Sequence, residues 1–110
     1  LLIEDDELMR DMISMVLNLQ GHDVCAAATG ADARAVFCAA TYDAVISDLY
    51  LPDDDGFALH DALRAKRPQL RFMLLSGETD AAVLGKAAEQ NIRFVAKDEN
   101  FAQAIVAALE

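Results

Sequence analysis

Tyr42-Asp43-Ala44-Val45-Ile46-Ser47-Asp48-Leu49-Tyr50-Leu51-Pro52 is the stretch that decides the fold. Its apolar run, residues 44–46, has the length of a strand buried on both faces. The run leads into an acid, Asp48. Acids at strand ends often cap the next helix, but Leu49-Tyr50-Leu51-Pro52 follow and no helix starts there. A carboxylate just after Val45 and Ile46 is costly to bury unless something pairs with it. The stretch therefore reads as a buried strand carrying a functional acid at its carboxyl end.

Outward from it, short apolar runs recur at residues 1–3, 24–28, 72–75 and 94–96. Helical patterns lie between them. Leu8, Met9, Met12, Ile13, Val16 and Leu17 mark one face of a first helix, stopped near Gly21. A second starts after Thr29, with Asp32 at capping-box spacing, and turns Val36 and Phe37 inward. A third follows Asp55-Gly56, buries Leu59, Ala62 and Leu63, and ends before Pro68. A fourth spans residues 79–90 with Val83, Leu84, Ala87 and Ala88. A fifth carries Phe101, Ile105, Val106 and Leu109. Five strand–helix alternations imply an α/β fold, a parallel sheet with helices on both faces. Ligands of such folds bind at the carboxyl ends of the strands.

The residues at those ends form a coherent chemical set. Glu4 and Asp5 follow the first strand, Asp48 ends the third, Ser76 follows the fourth and Lys97 the fifth. Carboxylates within ~4–6 Å of one another raise each other's pKa, and a divalent cation relieves that strain. Few hard oxygen ligands with positions left for water and phosphate suit Mg²⁺. Asp6 and Glu7 are better read as caps of the first helix.

Composition bounds the alternatives. The chain has 110 residues, the size of one domain spanning 1–110, with 55% apolar residues and a net charge of −10. That charge disfavours direct contact with nucleic acid or anionic lipid. No apolar run reaches the roughly 20 residues of a membrane span, and none resembles a signal peptide. The chain opens inside an apolar stretch without Met, so the native protein is expected to extend further. Cys25 and Cys38 read as buried free thiols of a reducing, cytoplasmic compartment. His22 and His60 read as ordinary structural or surface residues. The run Asp53-Asp54-Asp55 reads as a solubilising surface.

Four motifs in this order carry a resemblance over nearly the whole chain: Leu2-Ile3-Glu4-Asp5-Asp6-Glu7, the opening stretch with Asp55-Gly56-Phe57, Met73-Leu74-Leu75-Ser76-Gly77, and Phe94-Val95-Ala96-Lys97. The chain resembles the receiver domain of two-component response regulators. The resemblance implies a flavodoxin-like, doubly wound sheet of strand order 2-1-3-4-5. It implies that Asp48 is the phospho-acceptor, taking a phosphoryl group from a sensor histidine kinase or a histidine phosphotransfer protein. Glu4, Asp5, Asp48 and the backbone carbonyl of Tyr50 would bind Mg²⁺ (or Mn²⁺). Lys97 and Ser76 would contact the phosphoryl group. Ser76 and Phe94 would act as the switch that reshapes the fourth helix, fifth strand and fifth helix. An output domain, a target protein or a second copy of the chain would read that surface. Tyr50 and Glu78 match positions that tune hydrolysis.

One departure stands out. The family usually has Pro after the lysine, commonly with a cis bond, and this chain has Asp98. A cis bond before a non-proline residue costs ~2.5–4 kcal/mol, so Lys97–Asp98 is expected to be trans. Asp98 also puts a rival anion beside Lys97. Two other readings compete: a degenerate receiver that binds partners without phosphorylation, and a Mg²⁺-dependent phosphatase with an aspartyl nucleophile. Against the phosphatase, Tyr50 stands where its second acid would be sought, and no insertion is large enough for a cap.

Overall fold

The computed structural model describes residues 1–77 and 81–109. Its elements are β1 (Leu2–Ile3), α1 (Glu7–Leu19), β2 (Ala26–Ala27), α2 (Gly30–Ala39), β3 (Ala44–Asp48), α3 (Gly56–Lys66), β4 (Arg71–Ser76), α4 (Ala81–Glu89), β5 (Arg93–Ala96) and α5 (Phe101–Leu109). All neighbouring strands pair in parallel, in the order β2-β1-β3-β4-β5. The expected doubly wound order is the observed one.

Strand alternation divides the core into two layers. Ile3, Val45, Phe72 and Leu74 pack with Ala33, Phe37, Leu59, Leu63 and Ala87 of α2, α3 and α4. Leu2, Ile46, Met73, Leu75 and Val95 pack with Ile13, Leu17 and Ile105 of α1 and α5. The helix starts follow the capping residues in the sequence. Asp6 accepts from Met9 N–H at 3.1 Å, Thr29 from Asp32 N–H at 3.1 Å, and Asp55 from Ala58 N–H at 2.9 Å. Gly21, at φ 89°, follows the end of α1 in the left-handed region.

Several expectations change. Of the face expected to turn inward, α1 buries Ile13 and Leu17 and packs Met9 beside them, but Leu8 and Met12 are 82% and 38% exposed and form an outward apolar stripe with Met15 and Leu19. The helix therefore carries apolar residues on two faces, and composition alone could not say which one packs. On α4, Leu84 and Ala88 face solvent while Ala87 is buried, and the expected start at residue 79 lies outside the described residues. β2 is shorter than the predicted run of 24–28, because only Ala26 and Ala27 pair fully with β1. Both cysteines are free as expected, but neither is buried: Cys25 is half-exposed and Cys38 is exposed, with Lys66 Nζ 2.7 Å from its sulfur. His60 is buried edge-on against Phe72.

Candidate functional site

β1 and β3 lie side by side, with Ile3 opposite Ser47, so Glu4 and Asp48 emerge together at the carboxyl edge. Glu4 remains in the ladder through its N–H to Ala27 O at 3.0 Å, and is 1% exposed. Its Oε1 accepts from Asp6 N–H at 3.1 Å, and Arg10 donates to its backbone carbonyl at 3.0 Å. Asp48 is 3% exposed. Gly56 closes the loop beneath it. A Cβ at Gly56 would lie 2.8 Å from the Asp48 carbonyl oxygen, so only glycine lets α3 start this near the acid.

Glu4, Asp5 and Asp48 each bring a carboxylate oxygen to within 4.8 Å of the others. Lys97 crosses from the end of β5 and pairs with Asp48 Oδ1 and, at 3.0 Å, with Glu4 Oε2. Burial pushes the Asp48 carboxyl up to about 8, helped by a hydrogen bond with Glu4 and opposed by Lys97. Burial disfavours charge on Lys97 as well, but Asp48 and Glu4 outweigh it and raise the ammonium above its ordinary value. The acids are thus packed more tightly than one lysine can neutralise. Hard oxygen donors at this spacing fit a small divalent cation.

Ser76 is buried at the end of β4, opposite Ala96, and its carbonyl accepts from Lys97 N–H at 2.9 Å. Phe94 is half-buried and packs against the α2–α3–α4 core layer. Tyr50 is 59% exposed and forms a bridge with Asp55. Glu78 lies outside the described residues.

Lys97–Asp98 is trans, as expected, since no cis bond occurs among the described residues. Asp98 does not pair with Lys97 in this structure. Its Oδ1 accepts from Asn100 N–H at 2.9 Å and its carbonyl from Phe101 N–H at 3.2 Å, so it shapes the turn that leads into α5. The carboxylates already holding the lysine are Glu4 and Asp48.

The largest correction concerns Asp53-Asp54-Asp55, which does much more than solubilise. Asp53 accepts from Gly30 N–H at 2.8 Å and Ala31 N–H at 3.0 Å, at the start of α2. Those two N–H groups hold its carboxyl below the ordinary value. Asp54 receives both Arg34 Nε and Nη2, at 3.1 and 3.0 Å. Asp55 caps α3. The loop after Asp48 is therefore anchored at three points. Nothing in the local sequence names Gly30 or Arg34 as the partners, since they lie more than 18 positions away.

The chain matches the model of the response regulator receiver domain over residues 1–110. It is 37% identical over 76 residues to the transcriptional regulatory protein PmrA of Pectobacterium parmentieri, covering 69% of this chain and 34% of that protein. It is 35% identical over 85 residues to the response regulator protein FleR of Pseudomonas aeruginosa, covering 76% of this chain and 18% of that one. The match thus spans about a third of the first relative and under a fifth of the second. The chemotaxis protein CheY4 of Vibrio cholerae superposes with a TM-score of 0.88 at 25% identity, over 98% of this chain and 92% of that one. With four ordered motifs, the parallel 2-1-3-4-5 sheet and the acidic edge in agreement, this chain belongs to the response regulator receiver domain family.

Proposed function

We propose that the chain is a single phospho-accepting module and that Asp48 is its acceptor. The observation that carries this reading is the convergence of Glu4, Asp5 and Asp48 at one edge, with Lys97 bridging two of them. An Asp48 oxygen attacks the phosphorus of a phosphohistidine on a kinase or phosphotransfer protein. The P–O bond forms as the P–N bond breaks, giving an aspartyl phosphate. Glu4, Asp5, Asp48 and the Tyr50 carbonyl are the residues that would hold Mg²⁺, which would offset repulsion between acid and phosphoryl oxygens.

The chain's own residues then respond to a charge of ≈ −1.5 to −2. Lys97 transfers from the carboxylates to a phosphoryl oxygen, and the Ser76 hydroxyl donates to another. Ser76 and Phe94 sit on β4 and β5 beside α4, which buries only Ala87. That light packing supports the α4–β5–α5 surface as the part that changes and that a partner reads. Among the described residues no helix is long and apolar enough to cross a membrane; a cytoplasmic regulatory role is the setting this reading implies.

The test is incubation with Mg²⁺ and acetyl phosphate, followed by intact mass. One phosphate adduct on the wild-type chain, absent from Asp48→Ala, is the expected result. Steady turnover of unrelated phosphate esters would favour a phosphatase. No adduct under any condition would leave a phosphorylation-independent interaction module.

A further inference from the structure

Arg10 stands one helical turn after the acidic run Glu4-Asp5-Asp6-Glu7. Asp6 lies four residues before it and Glu7 three, the spacing at which a helical arginine pairs with a carboxylate. Among the described residues it pairs with none. The side chain is half-buried, and its Nη1 donates to the carbonyl of Glu4 at 3.0 Å and reaches that of Asp5 at 3.5 Å. No backbone N–H among the described residues takes up either carbonyl.

The consequence falls on the peptide unit between Asp5 and Asp6. Its carbonyl faces Arg10, and its N–H donates to Glu4 Oε1 at 3.1 Å. The unit is therefore held from both sides. With Oε1 so occupied, Oε2 is the Glu4 oxygen that meets Lys97, at 3.0 Å. Asp5 depends on this turn more than its neighbours do. Glu4 is tied to the sheet through its N–H to Ala27 O, and Asp48 ends β3. Asp5 lies beyond the ladder and is exposed, and its carboxylate has no hydrogen bond among the described residues. Its carboxylate still comes within 4.8 Å of the other two. What keeps it there is the backbone that carries it.

We propose, resting on the reading of the acidic edge as a Mg²⁺ site, that Arg10 is a positioning residue for that cation. It clamps the turn by its carbonyls and presents Asp5 without occupying any carboxylate oxygen. The acceptor it uses matters. A guanidinium on Asp5 would compete with the cation for the ligand. On neutral carbonyls it orders the same turn and leaves every ligand open. Its charge still repels a nearby cation, so clamp and charge act with opposite signs, and substitution separates them.

The test is titration of the ¹⁵N-labelled chain with Mg²⁺, for the wild type, Arg10→Met and Arg10→Lys. Loss of a positive charge alone would tighten cation binding. Arg10→Met is expected instead to weaken it about tenfold. Arg10→Lys, which keeps the charge and can reach one carbonyl, should fall between. On an Asp5→Asn background, Arg10→Met should change the affinity by less than about twofold, since its effect runs through Asp5. In EDTA, amide exchange at Asp6 should quicken in Arg10→Met while residues 44–48 keep their protection. A lower melting temperature with unchanged affinity would assign Arg10 to helix stability and overturn the proposal. Tighter binding in Arg10→Met, or an equal loss on the Asp5→Asn background, would also overturn it while leaving the cation site in place. If Mg²⁺ shifts no wild-type amide at the acidic edge, the cation reading falls and the role of Arg10 with it.

Discussion

Two groups of acids lie within one loop of each other and have opposite fates. Each carboxylate of Asp53-Asp54-Asp55 meets donors of its own: two N–H groups at the start of α2, the Arg34 guanidinium, and the first turn of α3. Glu4, Asp5 and Asp48 instead meet one another, and Lys97 is the one ammonium paired with them among the described residues. The first group is at electrostatic rest and fixes the loop. The second is held in tension by the same scaffold, the condition that the proposed cation and phosphoryl group would relieve. Residue type does not distinguish them; the number of donors within reach does.

The contrast is broken most directly by removing the lysine. Lys97 now occupies the space between Glu4 and Asp48 that a cation would use. Lys97→Met should therefore tighten Mg²⁺ binding, by about tenfold for one ion-pair competitor, even as it removes the partner for the phosphoryl group. Isothermal titration with Mg²⁺ checks this. Unchanged or weaker affinity would mean that the ammonium does not contest the cation.

A pH series sharpens it further. Burial raises the Asp48 carboxyl to about 8 in the fold, against an ordinary value of 3.8. Between those values the folded state binds more protons than the unfolded chain, so stability falls as pH rises through that window. The slope from one such group is at most about 1.4 kcal/mol per pH unit. Asp48→Asn cannot lose a proton, so its advantage over the wild type in metal-free urea melts should grow from pH 5 to pH 8 and then level off. A constant difference would show Asp48 already ionised at pH 5. Saturating Mg²⁺ should flatten the wild-type slope, because the cation favours the deprotonated acid.

The fold was far more legible than this contrast. Run lengths and capping residues located the elements, since Thr29 and Asp55 act within three positions of themselves. The strand-end acids were legible for a related reason: once strands are parallel and alternate with helices, their ends must share an edge. Two kinds of feature were not. The partners of Asp53 and Asp54 are set by how α2 meets the loop after β3, a tertiary contact with no periodic signal. The outward turn of Leu8 and Met12 was hidden because α1 has apolar residues on both faces. The Lys97–Glu4 pair joins the two ends of the chain, and no local signal in the sequence points to it.

On the resting side, Asp55→Ala removes the cap of α3 and should cost about 1 kcal/mol of stability. The phosphate adduct on Asp48 should keep its full yield, because Gly56 N–H still bonds Leu49 O at 2.7 Å and holds the loop under the acid. Urea melts and intact mass read the two effects separately. A large loss of adduct would mean that the cap positions Asp48 and that the groups are not independent.

The smallest effect is expected at Asp53, and its pH dependence runs opposite to that of Asp48. The Gly30 and Ala31 N–H groups lower its carboxyl below 3.8. Its contribution is therefore present above the ordinary carboxylate value and fades as pH falls through the lower folded one. Asp53→Ala should lower the melting temperature modestly at pH 7, and the gap should narrow under acid. Faster amide exchange at Gly30 and Ala31, with no change at the start of α3, would localise the loss to α2. If exchange also rises at residues 48–49, the anchored loop and the strained site are one cooperative unit, and resting acids near the edge are part of what keeps the other three under tension.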